Sequence, residues 1–165
     1  MYSKIIFNSC TGSGKEYARL LSNALNIPAY SLEDAPKSDD NDIIYIGWLM
    51  AGKVMGYSKV KDKYNVRALV AVGMSTQPGS DTTELRKNNN VPDGTKVFPV
   101  QGGFHMSKLP FIFRMMMKVK NPDIVKKLEA KGELDDFSKA ILKMAKTGDG
   151  EPLAWTIDEI VAACK

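Results

Sequence analysis

The sequence predicts an α/β fold, a parallel sheet between two layers of helices, and three observations carry that expectation. Four short apolar runs recur in the first hundred residues: KIIFNSC (4–10), DIIYIGWLM (42–50), RALVAVGMS (67–75) and TKVFPVQGGF (95–104). Their hydrophobicity is continuous rather than alternating, as strands covered on both faces require. Each run ends in small, turn-forming or polar residues, and open α/β sheets bind ligands outside the carboxyl ends of their strands. PAYSLE (28–33) is a weaker candidate for a fifth strand.

Helical patterns fill the gaps. From Gly14 to Asn26, Tyr17, Ala18, Leu20, Leu21, Ala24 and Leu25 recur at helical spacing. Ser80 to Asn90 opens with a capping residue and an acidic first turn (Ser80, Asp81, Glu84), and Asn88–Asn90 followed by Pro92 stops it. The charged stretch from Met55 to Asn65 shows no clear period. After residue 104 the character changes: 107–120, 121–132, 135–148 and 152–165 are helix-like, with Pro122, Gly132, Gly148 and Pro152 as punctuation. The expected organisation is a single domain over 1–165, with a core at 1–104 and a helical C-terminal part at 105–165.

Length and composition narrow the function classes. A chain of 165 residues buries a real core, and 44% apolar with 25% charged residues is ordinary for a globular protein, which excludes a disordered chain. No apolar run reaches the roughly 20 residues of a membrane span. The opening MYSKIIFNS lacks the basic flank, apolar region and cleavage site of a signal peptide. Cys10 and Cys164 stand at opposite ends, with no CxxC and no histidine at metal spacing, so neither a metal site nor a disulfide framework is expected. These features predict a cytoplasmic protein. The net charge of +4 is spread evenly, with 12 basic against 10 acidic residues in 1–104 and 11 against 9 in 105–165. That is too even for a nucleic-acid stripe.

The stretch FNSCTGSGKEYARLL (7–21) looks at first like a Walker loop, GxxxxGK[ST]. Its first glycine is replaced by Ser9, and the magnesium hydroxyl after Lys15 is replaced by Glu16, whose carboxylate would repel a triphosphate. A nucleoside-triphosphatase is therefore disfavoured. A more general device survives: a strand, a small polar turn with free N–H groups, and a helix N-terminus, which attract a phosphate without metal.

Those residues suggest a family. SCTGSGKEYA (9–18) resembles the FMN-phosphate loop of flavodoxins, a Thr/Ser-x-Thr-Gly-x-Thr pattern opening the first helix. GWLMAGK (47–53) and VGMSTQPGS (72–80) fall where that family places its two flavin-ring loops. GGFHMSKLPFIFRMMMK (102–118) is similar to the segment after the fifth strand in menaquinone-dependent protoporphyrinogen oxidases and related flavodoxin-domain proteins. The resemblance implies a flavodoxin-like, doubly wound, five-stranded parallel sheet of order 2-1-3-4-5 with helices on both faces and a helical C-terminal extension. It implies FMN as the cofactor.

Position by position, the family's phosphate pattern falls on Ser9, Thr11, Gly12 and Ser13, with the Gly12 to Lys15 amides pointing inward as an uncharged nest. Gly14 stands where the pattern has its last hydroxyl. Cys10 reads as a small packing residue within the loop, and Lys15 either reaches the phosphate or sits solvated on the helix. For the first ring loop the resemblance implies Gly47, Trp48, Leu49, Met50, Ala51, Gly52 and Lys53. Trp48 either caps the sheet or forms a dry wall, and Lys53, if it faces the ring, raises the flavin potential. The second loop brings Gly73, Met74, Ser75, Thr76 and Gln77 to the pyrimidine edge. The family's acidic residue and stacking Tyr are absent there, so the outer face of the ring is expected to be open.

Two features lie outside that pattern. His105, the single histidine, is either structural or a proton relay beside Gly102–Gly103. Met115, Met116 and Met117 sit among Phe111, Ile112 and Phe113 as adaptable packing, while Lys108, Arg114 and Lys118 also suit an interfacial or docking helix over 105–120.

The expected function is an FMN-binding oxidoreductase that passes electrons or hydride to a small-molecule acceptor, with a quinone as one option. The alternatives are a one-electron carrier that docks on protein redox partners, which its basic balance disfavours, and a flavin-free interaction domain. No acid/base pair or nucleophile is evident, as suits chemistry performed by a cofactor.

Overall fold

The computed structural model describes residues 1–37 and 41–165. In chain order the elements are β1 (Tyr2–Asn8), α1 (Ser13–Leu25), β2 (Ala29–Ser31), β3 (Asp42–Met50), β4 (Lys53–Val54), α2 (Tyr57–Val60), β5 (Asn65–Gly73), α3 (Thr83–Asn89) and β6 (Lys96–Gln101). There follow β7 (Phe104–His105), α4 (Phe111–Glu129), α5 (Asp136–Thr147), β8 (Asp149–Gly150) and α6 (Asp158–Cys164).

The sheet order is β2-β1-β3-β5-β6, and every pairing along it is parallel. Counting these five strands by chain position gives 2-1-3-4-5, the flavodoxin-like order. The weak run at 28–33 is the short edge strand β2. Burial explains the continuous hydrophobicity. Ile5, Ile44, Ile46 and Val70 point to a core shared with Tyr17 and Leu21 of α1 and Ile160 of α6. Their neighbours Ile6, Ile43, Tyr45 and Leu69 point the other way, onto Tyr57 and Val60 of α2. Alternate side chains leave opposite faces of a strand, so a sheet covered on both sides needs apolar residues at every position.

Local chemistry sets most helix ends. Asn26 closes α1 in the left-handed region at φ 53°, and Gly148 closes α5 at φ 71°. The Asp135 carboxylate caps α5 by accepting from the Ser138 N–H at 2.7 Å. The expected helix over 80–90 starts three residues late. Asp81 rather than Ser80 supplies the acceptor there, taking the Thr83 N–H at 2.9 Å and its hydroxyl at 2.7 Å.

Three expectations for the C-terminal part need correction. The separate helices at 107–120 and 121–132 are one helix, α4, with Pro122 inside it. The final helix is shorter than 152–165, beginning only at Asp158. A two-stranded antiparallel ribbon of β7 and β8 joins the region after β6 to the end of α5. A third apolar cluster results, with Phe104, Leu109, Met117 and Met144 at its centre and Cys10, Met50 and Met74 from three sheet loops packed against it.

Gln101, buried at the end of β6, ties these parts together. Its carbonyl accepts from the Tyr17 hydroxyl at 2.7 Å, its side-chain amide donates to Met74 O at 3.1 Å, and its side-chain oxygen accepts from the Leu153 N–H at 2.8 Å. Gln101→Leu keeps the volume but removes the partner of two part-buried backbone groups, Met74 O and the Leu153 N–H, each bond being worth about 0.5–1.5 kcal/mol. The expected outcome is a melting temperature lower by roughly 4–10 °C. Tyr17→Phe, which removes one bond, falls less. Calorimetry giving Gln101→Leu the wild-type temperature would mean that water replaces the lost partners.

Candidate functional site

The carboxyl ends of β1, β3, β5 and β6 open into one cavity of about 330 Å³. The loop after β1 forms one end. Gly12 holds φ at 109°, a conformation that side chains disfavour, and so turns the chain into α1. The first helical hydrogen bond runs from the Glu16 N–H to Gly12 O at 3.0 Å. The Ser13, Gly14 and Lys15 amides lie ahead of it, with no carbonyl in the helix to take. Such a terminus holds an anion by amide donation and by the helix dipole. The Gly12 amide does not join the nest as expected, because it donates to Ser9 Oγ at 3.2 Å.

Ser9, Cys10, Thr11, Ser13 and Gly14 line the cavity. Ser13 has a second duty: its Oγ accepts from the Gly103 N–H at 2.9 Å, fixing the end of β6 against the start of α1. Lys15 and Gly12 lie instead on a shallow cleft behind the loop, with Tyr30, Ser31 and Asp34. The solvated reading of Lys15 is the one consistent with this placement, since the residue is exposed there.

The first ring segment is a β-hairpin rather than an open loop. β3 runs on to Met50 and returns as β4 through Ala51 and Gly52, both at positive φ (50° and 77°), which a two-residue turn matching strand twist requires. Trp48, Leu49, Met50, Ala51 and Gly52 line the cavity. Gly47 does not, because it is a strand residue packed so closely that an added Cβ would lie 2.5 Å from Val54 Cγ1. Lys53 also leaves the site, turning outward so that its ammonium donates to Asn88 O at the end of α3. From the second segment Gly73, Met74, Ser75 and Thr76 reach the cavity, while Gln77 is exposed beyond it.

The open outer face expected from the sequence is closed by α4. Leu109 before it, and Met117, Lys120 and Ile124 on it, line the cavity together with Gly102, Gly103 and Phe104. Trp48 meets Phe113 of α4 edge to face, with centroids 5.2 Å apart, so its indole is a wall between sheet and helix. The 105–120 segment is thus part of the site and not only a surface beside it. Sequence reasoning missed these wall residues because Pro122 split their helix and nothing local assigned its inner face. The period Leu109, Phe113, Met117, Lys120, Ile124 is the signal that could have found them.

Two other side chains fall differently from their sharper readings. His105 is held between Asp149 (Nδ1 to Oδ1, 2.5 Å) and Glu151 (Nε2 to Oε1, 3.3 Å) and does not line the cavity. The Arg114 guanidinium donates to Ser107 O at 2.9 Å and Leu109 O at 3.0 Å, bracing the entry to α4 rather than facing a partner. Lys120 is the one charged side chain on the cavity wall among the described residues, and no carboxylate or histidine joins it. No group of three or more potential ligands could hold a metal ion among the described residues.

Burial pushes the Cys10 thiol above its ordinary pKa. At any pH below that raised value less thiolate is present than in an unstructured cysteine, so alkylation by iodoacetamide at pH 8 is expected to be slower than for a free thiol. A ligand filling the cavity should slow it further. Peptide mass mapping reads the rate, and a Cys10 that reacts like free cysteine would place it outside the cavity wall.

Compared with known proteins, the chain matches no family model, no curated sequence and no solved structure.

Proposed function

We propose that the chain is an FMN-binding, flavodoxin-like oxidoreductase that passes electrons or hydride to a small-molecule acceptor, a quinone being one suitable class. The observation that carries this reading is the meeting of a metal-free anion nest with an apolar slot at the switch point of a 2-1-3-4-5 sheet. A volume of about 330 Å³ lies at the small end of cofactor and ligand pockets. The donor set fits a monophosphate: three helix-start amides and the hydroxyls of Ser9 and Thr11, with no carboxylate on the cavity wall among the described residues.

When bound, FMN supplies the redox chemistry. The chain's own residues do the rest. Ser13, Gly14 and Lys15 amides hold the phosphate, and Trp48, Leu49, Met50 and Met74 make a dry slot for a flat ring. Gly73 to Thr76 offer amide and hydroxyl donors at its edge. Lys120 favours negative charge within the cavity, the role expected of Lys53 before its outward turn. A wall with no carboxylate or histidine leaves proton transfer to water or to the acceptor.

Titration with FMN should give a yellow complex, and Thr11→Asp should abolish it by setting a carboxylate against the phosphate. A protein that stays colourless at high FMN, or a Thr11→Asp variant with undiminished affinity, would sink the assignment. For the charge, Lys120→Met should lower the two-electron potential by about 30 mV for each ~1.4 kcal/mol of lost interaction. An unshifted redox titration would put the ammonium out of reach of the ring.

A further inference from the structure

Helix α4 is apolar on two sides, and only one of them is used within the fold. Its inner side carries Phe113, Met117 and Ile124 toward the cavity and the third core cluster. Its outer side presents Phe111, Ile112, Met115 and Val119, which are 73%, 69%, 47% and 73% exposed. At about 100° per residue these four fall within an arc of about 100° and along about 12 Å of helix. Only Met1 and Leu153 are comparably exposed large apolar residues among the described ones. A packed core does not require this ridge, and exposing it to water is unfavourable.

Charge identifies what covers it. From Phe104 to Pro122 the chain carries Lys108, Arg114, Lys118 and Lys120 and no Asp or Glu. Lys108 and Lys118 are exposed, and Lys118 lies at the edge of the ridge, about 20° from Phe111 around the axis. A second copy of the chain would bring these cations face to face with no carboxylate in the segment to neutralise them. The ridge of four side chains is also well short of the roughly 20–30 residues a side of an ordinary protein interface. It does match the boundary of a bilayer, where apolar side chains enter the acyl region and flanking lysines reach anionic headgroups. No helix in the described residues is long and apolar enough to cross a membrane.

We propose that the outer face of α4 docks the protein on an anionic lipid surface, with Phe111, Ile112, Met115 and Val119 inserted and Lys108 and Lys118 on headgroups. Docking does not depend on what the cavity holds, so it stands or falls apart from the flavin reading. Because the same helix walls the cavity, docking sets the site beside the apolar phase.

The full chain is sedimented with vesicles of phosphatidylcholine, with and without phosphatidylglycerol. Expected is binding to the anionic vesicles that weakens as sodium chloride rises. Ile112→Ser with Val119→Ser should partition about tenfold or more weakly, since two of the four inserted apolar side chains are lost. Lys108→Glu with Lys118→Glu, confined to exposed side chains, should lose the preference for phosphatidylglycerol. Far-UV circular dichroism checks that both keep the wild-type fold. A wild type left in the supernatant at low salt, or a serine variant that sediments as well as the wild type, would overturn the proposal. So would a dimer in sedimentation velocity that the serine variant loses, because the ridge would then belong to a second copy.

Discussion

The cavity depends on one close approach, that of the end of β6 to the loop after β1. Gly102 makes it possible: a Cβ there would lie 2.6 Å from Val72 Cγ1 and 3.1 Å from Ser13 Cβ. With no side chain between them, the Gly102 N–H reaches Gly73 O at 3.0 Å and the Gly103 N–H reaches Ser13 Oγ. The ends of β5 and β6 and the start of α1 are thereby locked to one another. Gln101, one residue earlier, extends the lock to α1 and to the chain before α6. A site built from loops on an open sheet needs such cross-ties, because each loop alone is held only at its strand. Phe104 leaves the junction into the cavity, whereas His105 turns to the two carboxylates of the ribbon.

The same junction directs the chain into the C-terminal part, which builds the far wall. In a sheet of this kind the cavity would otherwise be open above the strand ends. Here β7 and β8 fasten the segment at both ends, and Met144 of α5, almost fully buried, backs Phe104, Leu109 and Met117. The apolar cluster there is rich in methionine (Met50, Met74, Met106, Met117, Met144), and Met50, Met74 and Met117 of these line the cavity with side chains whose many rotamers adapt to an occupant of irregular shape. Fold and site are therefore coupled: residues that pack the extension also shape the cavity.

The sheet was legible in the sequence because a strand buried on both faces declares itself locally, as DIIYIGWLM does. The turn after β1 was legible because Gly12 and the helix it opens lie within ten residues. What misled was geometry set by distant contacts. Lys53 and Gly47 were assigned to the ring on the premise of an open loop. A two-residue hairpin through Ala51 reverses the chain there, and Ala51 is a poor residue from which to expect positive φ. Pro122 read as a stop because it lacks an N–H, yet α4 continues through it, held by packing along its inner face. The wall of α4 over the cavity was invisible for a related reason: its apolar residues fit an inner and an outer face equally well, and only the tertiary contacts divide them.

Glu16, which disfavours a triphosphate in the sequence, also tests whether any phosphate is tolerated beside it. An unrestrained carboxylate one residue beyond the nest amides would compete with an anion for the positive end of α1. The structure restrains it. Arg19, one turn on, grips Glu16 with two bonds, Nε to Oε2 at 2.9 Å and Nη2 to Oε1 at 2.6 Å. This bond set holds the Glu16 carboxyl below its ordinary pKa, so it is ionised, and it draws the charge along the helix exterior, where solvent screens it. The pair is neutral as a unit. The start of α1 then presents amides, hydroxyls and a helix dipole uncancelled by a local anion, an arrangement that suits an anion held without a metal.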